Sequence, residues 1–278
     1  MTRPFRLPAA LLLVATFMLT AAAHANTGSR SPAGPGSSPP PASVSPFLVN
    51  ATITEAFDTV AGTSTNGCVT GWTCSNLSSP AGATSWFQGS NVAASGPFDA
   101  QAGAANAYIA ANFNNTGSTG TISNWLLTPQ VSFGTGATLS FWTRTVSPSA
   151  FADRLEVRIS TNGASTNVGA TSTSVGDFTT LLFTVNPSLL AASGTCPTAA
   201  DGYPNAWCQI TLTNVAGIPN FGSGRIAFRY FVTGAGSAGA NSDYIGIDTF
   251  SFNEGTPAAP PQFAYAPAPA STVTATGG

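Results

Sequence analysis

The chain contains no lysine, and its one histidine, His24, lies in an N-terminal stretch that reads as an export signal. General acid–base work near neutral pH falls mostly to histidine, and Schiff-base chemistry needs lysine. Zinc, copper and iron sites lean on imidazole or clustered thiolates. A mature chain without His24 is therefore closed to most familiar enzyme classes. Charge is also scarce, at 6% of residues and a formal net charge of -2. That excludes a basic stripe for phosphate backbones, so no nucleic-acid partner is expected. Solubility has to come from uncharged Ser, Thr, Asn and Gly.

Long apolar runs are missing as well. The stretch Ala9 to Ala22 spans about 14 to 17 largely apolar residues, short of the about 20 that a membrane span needs. Arg3 and Arg6 before it, and Ala23-His24-Ala25 after it, complete the pattern of a cleaved secretory signal over residues 1–25. No membrane span is expected after its removal. Residues 26–46 are almost wholly Gly, Ser, Pro and Ala and read as a disordered linker. A globular region follows over 47–254, long enough for one sizeable core. Residues 255–278 return to Pro and Ala and read as a disordered tail. The four cysteines fall as Cys68 with Cys74 and Cys196 with Cys208. In an oxidising compartment this spacing favours two local disulfides, and a zinc site built from all four thiolates is the alternative.

Inside 47–254 the repeated signal is period-two alternation bounded by Gly, Asn, Ser and Pro. In Arg154–Ser160, Leu155, Val157 and Ile159 point one way and Arg154, Glu156 and Arg158 the other, predicting a core face and a wet face. Similar strands are predicted at Ile53–Phe57, Ala107–Phe113, Thr121–Leu127, Thr138–Thr143, Thr179–Val185, Trp207–Leu212, Arg225–Val232 and Tyr244–Phe252. That count predicts an all-β sandwich of two sheets. A short helix is expected at Asn186–Ala192, with Pro187 as its first residue.

The ordered blocks Glu55-Ala56-Phe57-Asp58, Gly71-Trp72, Ser85-Trp86-Phe87-Gln88-Gly89 and Ser123-Asn124-Trp125-Leu126-Leu127 are followed by three more. These are Leu139-Ser140-Phe141-Trp142, Gly224-Arg225-Ile226-Ala227-Phe228 and Tyr244-Ile245-Gly246-Ile247-Asp248. Together they resemble the bacterial choice-of-anchor J domain, which is related to cleaved adhesin and MAM domains. The resemblance implies a jelly-roll β-sandwich of antiparallel sheets, secreted or displayed at the cell surface, with a periplasmic location as the other option. It also implies a binding or adhesive role without catalysis.

Related jelly rolls hold a structural calcium between a carboxylate near the first strand and one in the last. The matching positions are Asp58, or Glu55, and Asp248, with Asp243 and Asn241 as further oxygen donors. Arg154, Glu156 and Arg158 form either a sugar-gripping patch or an exposed ladder of ion pairs. Trp125 and Trp142 sit in strong strand patterns that suit a core, whereas Trp86 with Gln88, in a Gly- and Ser-rich stretch, is the better surface candidate for stacking on a sugar. Asp153 with Glu156 could be forced into a glycosidase pair, but the neighbouring arginines would depress a carboxylate pKa. The expected function is a non-catalytic extracellular module for a glycan, matrix or surface protein. A structural spacer without a ligand is the alternative, and a carbohydrate-active hydrolase is a remote one.

Overall fold

The computed structural model describes residues 51–213 and 217–256. The expected signal and linker, and the tail beyond Thr256, lie outside them. Fifteen strands occur among the described residues. The first six are short: β1 (Thr52–Glu55), β2 (Ala61–Gly62), β3 (Gly67–Cys68), β4 (Thr73–Asn76), β5 (Ser79–Ala81) and β6 (Phe87–Gln88). Then come β7 (Ile109–Asn112), β8 (Thr116–Leu127), β9 (Val131–Ser132), β10 (Thr138–Thr145) and β11 (Leu155–Ser160). The last four are β12 (Thr180–Val185), β13 (Cys208–Thr213), β14 (Ser223–Ala235) and β15 (Tyr244–Asn253).

Period-two alternation makes each long strand two-faced, so the chain buries one face of each by stacking two sheets. Strands β13-β10-β15-β7-β6, with β1 beside β15, form a six-stranded sheet. Strands β12-β11-β14-β8-β4, with β5 and β9 at the margins, form a seven-stranded one. From β7 onward the chain crosses repeatedly between the sheets, with β13 and β15 in one and β12 and β14 in the other. This is an all-β jelly-roll sandwich, and every ladder between named strands is antiparallel.

Between the sheets, Phe57, Trp72, Phe250, Phe228 and Phe141 meet edge to face in an unbroken series, with centroids 4.9 to 5.9 Å apart. Such pairs add about 0.5–1.5 kcal/mol each beyond area burial. Strand β15 keeps four inward residues by a slip in its alternation. Ile245 and Ile247 face the core, and so do Phe250 and Phe252, because Thr249 is inserted as a bulge at φ 47. A β-branched residue rarely adopts that left-handed conformation.

Both disulfides are local, Cys68–Cys74 and Cys196–Cys208, with Cα–Cα distances of 5.8 and 5.6 Å. They take up all four thiols, so the zinc alternative falls. The expected helix at Asn186–Ala192 is instead a turn. Asn186, at φ 54, donates from Nδ2 to the carbonyls of Asp153 and Leu190 and accepts from the Leu190 amide. These side-chain bonds satisfy backbone groups that a helix would have paired.

Candidate functional site

The face opposite Leu155, Val157 and Ile159 is covered, which corrects the expectation of a wet one. The segment between β11 and β12 folds over the seven-stranded sheet, packing Val168 and Phe178 on Trp125, Leu127 and Ala227. Beneath it Glu156 is 7% exposed and accepts from Arg158 Nε at 2.7 Å and Arg229 Nη1 at 3.2 Å. Arg229, only 1% exposed, also donates to Ser123 Oγ and Ser172 O and lies 3.8 Å from the Phe231 ring centroid. Burial pulls its pKa down to about 10. Arg158 donates as well to the Phe178 carbonyl. Arg154 stacks on the other side of this group, 4.6 Å from the Phe231 centroid, and donates to the Phe231 carbonyl. The stripe is thus neither an open sugar grip nor an exposed ladder: it anchors the covering segment.

The tryptophans also change places. Trp86 is fully buried in the main core, and its Nε1–H is the only buried side-chain polar atom without a partner among the described residues. Gln88 is structural too: its Oε1 accepts from the Val60 amide, and its Nε2 donates to the carbonyls of Phe57, Asn106 and Tyr108. Four of the five tryptophans belong to packed clusters, Trp72 and Trp86 in the main core, Trp125 under the covering segment and Trp207 beside Phe98. The exception is Trp142. Its neighbours Phe141 and Thr143 are buried, so alternation turns Trp142 to the outer face of the six-stranded sheet, where it is partly exposed. Its indole N–H bonds nothing among the described residues. The signal was present in the strand pattern, since Trp142 shares a parity with Ser140 and Arg144, not with Leu139 and Phe141.

This outer face has two halves. Over β6, β7 and the start of β15 it is covered by the segment following β6, which packs Phe98 onto Tyr108, Tyr244 and Trp207. Arg144 caps the group 4.3 Å from the Phe98 centroid. Gly246 is the floor: a Cβ there would lie 2.9 Å from Phe98 and 3.0 Å from Trp207 and Tyr108. Over β13, β10, the end of β15 and β1 the outward residues are polar and at least partly exposed. Trp142 stands between the halves, paired with Gln209 on β13 and Asp248 on β15.

Asp248 fixes the boundary. Its Oδ2 accepts from the Gln101 and Ala102 amides and its Oδ1 from the Thr249 amide. Burial raises its pKa against these bonds. Asp58 borders the same turn, because a Cβ on Gly103 would meet its Oδ1 at 2.8 Å. Both carboxylates therefore border residues 101–103, and a carboxylate oxygen is the kind of ligand calcium takes. Glu55 turns away to accept from the Phe57 amide. Asp243 does not join them: it immediately precedes β15, five residues and roughly 17 Å of extended chain from Asp248, and accepts from Ser149 Oγ. Asn241 likewise donates to the Thr233 carbonyl. No group of three or more Asp, Glu, His or Cys side chains converges among the described residues.

Asp153 is sealed at the strand-end loops. Its carboxylate accepts from Thr145 Oγ1 at 2.6 Å, Tyr230 OH at 2.5 Å and the Asp243 amide at 2.8 Å. Burial outweighs those donors and pushes its pKa up to about 6, the opposite of the depression expected from nearby arginines. With Asp153 enclosed and Glu156 ion-paired, neither is open to a glycosidic bond. A cavity of about 200 Å³ lined by Thr145, Tyr203, Phe151 and Leu190 opens at the strand-end loops, with Phe151 45% exposed.

No family model matches the sequence, and no match is found among the curated proteins. Solved structures do match. The K1 cleaved adhesin domain of Lys-gingipain from Porphyromonas gingivalis W83 is 21% identical with a TM-score of 0.44, over 73% of this chain and 98% of that one. The K2 cleaved adhesin domain of Lys-gingipain is 18% identical with a TM-score of 0.45, over 73% and 99%. The module TmCBM61, solved in complex with β-1,4-galactotriose, is 14% identical with a TM-score of 0.35, over 66% and 88%. These likenesses concern the arrangement of strands and carry no functional weight.

Proposed function

We propose that this chain is an exported, non-catalytic binding module that engages glycans on the outer face of its six-stranded sheet. One observation carries the reading: Trp142 is the tryptophan left outside the packed clusters, and it stands on a polar sheet face with its indole N–H unengaged. An aromatic face suits the C–H face of a sugar ring, and an N–H at its edge adds a donor. The acidic groups that could drive hydrolysis are enclosed or paired, which supports binding over catalysis. Two disulfides and the export pattern support an extracellular setting, and the choice-of-anchor J resemblance belongs to the same reading. A calcium ion held by Asp58 and Asp248 would brace the edge of the platform.

A glycan array with the full chain and Trp142→Ala tests this. Saturable signal from the parent, lost in the variant while the thermal melt is unchanged, is the expected result. A flat array for the parent favours the structural-spacer alternative.

A further inference from the structure

Four strands meet in register on the uncovered half of the face. Thr213, Thr138, Asn253 and Thr52 form one cross-strand row, and Thr211, Ser140, Ser251 and Thr54 form the next. Gln209 and Trp142 begin a third. The residues between them, Leu212, Leu139, Phe252 and Ile53, turn to the core. The outward set therefore holds seven hydroxyls, two amides and one indole. The third row continues into Asp248, a buried carboxylate turned to the Gln101 and Ala102 amides, so no charge is open on the rows. Strand spacing makes each row about 14 Å long, with about 6.8 Å between rows.

These groups are barely used within the protein. Asn253 Nδ2 donates to Thr52 Oγ1 at 3.2 Å while its Oδ1 accepts from the Gly255 amide at 2.9 Å, and Thr138 Oγ1 reaches the Gly136 carbonyl at 3.4 Å. The hydroxyls of Ser140, Thr211, Thr213, Ser251 and Thr54 bond nothing among the described residues. Each hydroxyl is donor and acceptor at once. A regular row of them complements a ligand that repeats the same dual character along its length. The face lacks the apolar centre that a protein partner needs. The one cation of this parity on β10, Arg144, is committed to the Phe98 ring and the Asn205 carbonyl, so the rows offer no free countercharge for a carboxylate, sulfate or phosphate that would lose water on docking.

We infer that the occupant is a neutral polysaccharide chain, laid across the strands along these rows with Trp142 stacking at their corner. This rests on the glycan reading above and adds the ligand's charge class and direction. Single contacts are weak, so affinity grows with chain length.

Affinity electrophoresis of the full chain through a soluble neutral β-glucan and through an anionic polyuronate tests it, with Thr54→Val/Thr211→Val and Trp142→Ala run beside the parent. Expected is retardation by the β-glucan alone, unchanged in roughly 0.5 M salt. The double valine variant should weaken it by about tenfold with no change in melting temperature, and a glucan trisaccharide should compete far less well than the polymer. Retention of β-glucan binding by the double variant, with loss in Trp142→Ala, would overturn the rows and leave the glycan reading standing. Preferential, salt-sensitive retardation by the polyuronate would overturn the neutral class. Absence of binding to either, with self-association that the double variant abolishes, would overturn both and make a second copy the occupant.

Discussion

Asp153 is held by three donors in a place where its charge is costly, and the second effect prevails. Its folded pKa of about 6 stands above its ordinary 3.8. The protonated form is thus favoured by folding, and the contribution is full below about pH 4 and lost as pH rises through 6. Asp243 and Asp248 are raised by burial too and act with the same sign. Asp177 and Asp201, lowered by hydrogen bonds from Ser165 and Thr195, act oppositely, at the acid end of the range. Melting temperature should therefore rise on acidification from pH 7.5 to 5, and Asp153→Asn should flatten that slope. Calorimetry across the window checks this; an unchanged slope in the variant would deny Asp153 the role. At the same scale the two exchanged tryptophans separate stability from binding. Trp86→Ala should cost about 3–5 kcal/mol in denaturant melts, whereas Trp142→Ala should leave the melt near the parent.

Among the elements, the segment between β11 and β12 is held by Phe178 above and by the buried group of Glu156, Arg158 and Arg229 below. Glu156→Gln would leave the buried guanidinium of Arg229 and the partly exposed one of Arg158 facing a neutral amide, costing about 3 kcal/mol. The loss should appear first as faster amide exchange across residues 161–179, and a variant as protected there as the parent would show the carboxylate to be incidental. The segment after β6 depends instead on close approach at Gly246, where a methyl group would press on three rings at once. These coverings explain what alternation could and could not reveal. Leu155, Val157 and Ile159 announce a core face because the period is local. Glu156 meets Arg229 across 73 positions of sequence, so nothing local distinguishes a polar face that is wet from one that is roofed. Thr249 was hidden for a related reason: a bulge of one residue leaves hydrophobic positions on both sides and only the parity changes.

At the scale of the whole molecule, nine strands were legible from period two and from turn residues, while the short ladders β2 to β6 and β9 were not. Those pieces are two to four residues long and take their extended form from the strands they border. The disulfides were legible by spacing. The proposed platform was not legible: a Gly-rich flank resembles a surface loop and pointed to Trp86, which is buried, while the strong strand pattern around Trp142 suggested a core position for a residue that faces outward. The calcium proposal concerns the same global architecture, since Asp58 follows the first strand and Asp248 lies in the last. A cation between them would tie β1 and β15 to the 101–103 turn, and a ligand that binds only the folded state raises stability in proportion to the logarithm of its concentration. Melting temperature should accordingly rise by several degrees between excess chelator and millimolar Ca²⁺. Asp58→Asn should abolish the rise while leaving the core intact, because Asp58 is exposed, whereas Asp248 also anchors two amides. Superimposable melts of the parent in chelator and in Ca²⁺ would reduce Asp248 to a hydrogen-bonding anchor for the turn, a role its backbone donors already support.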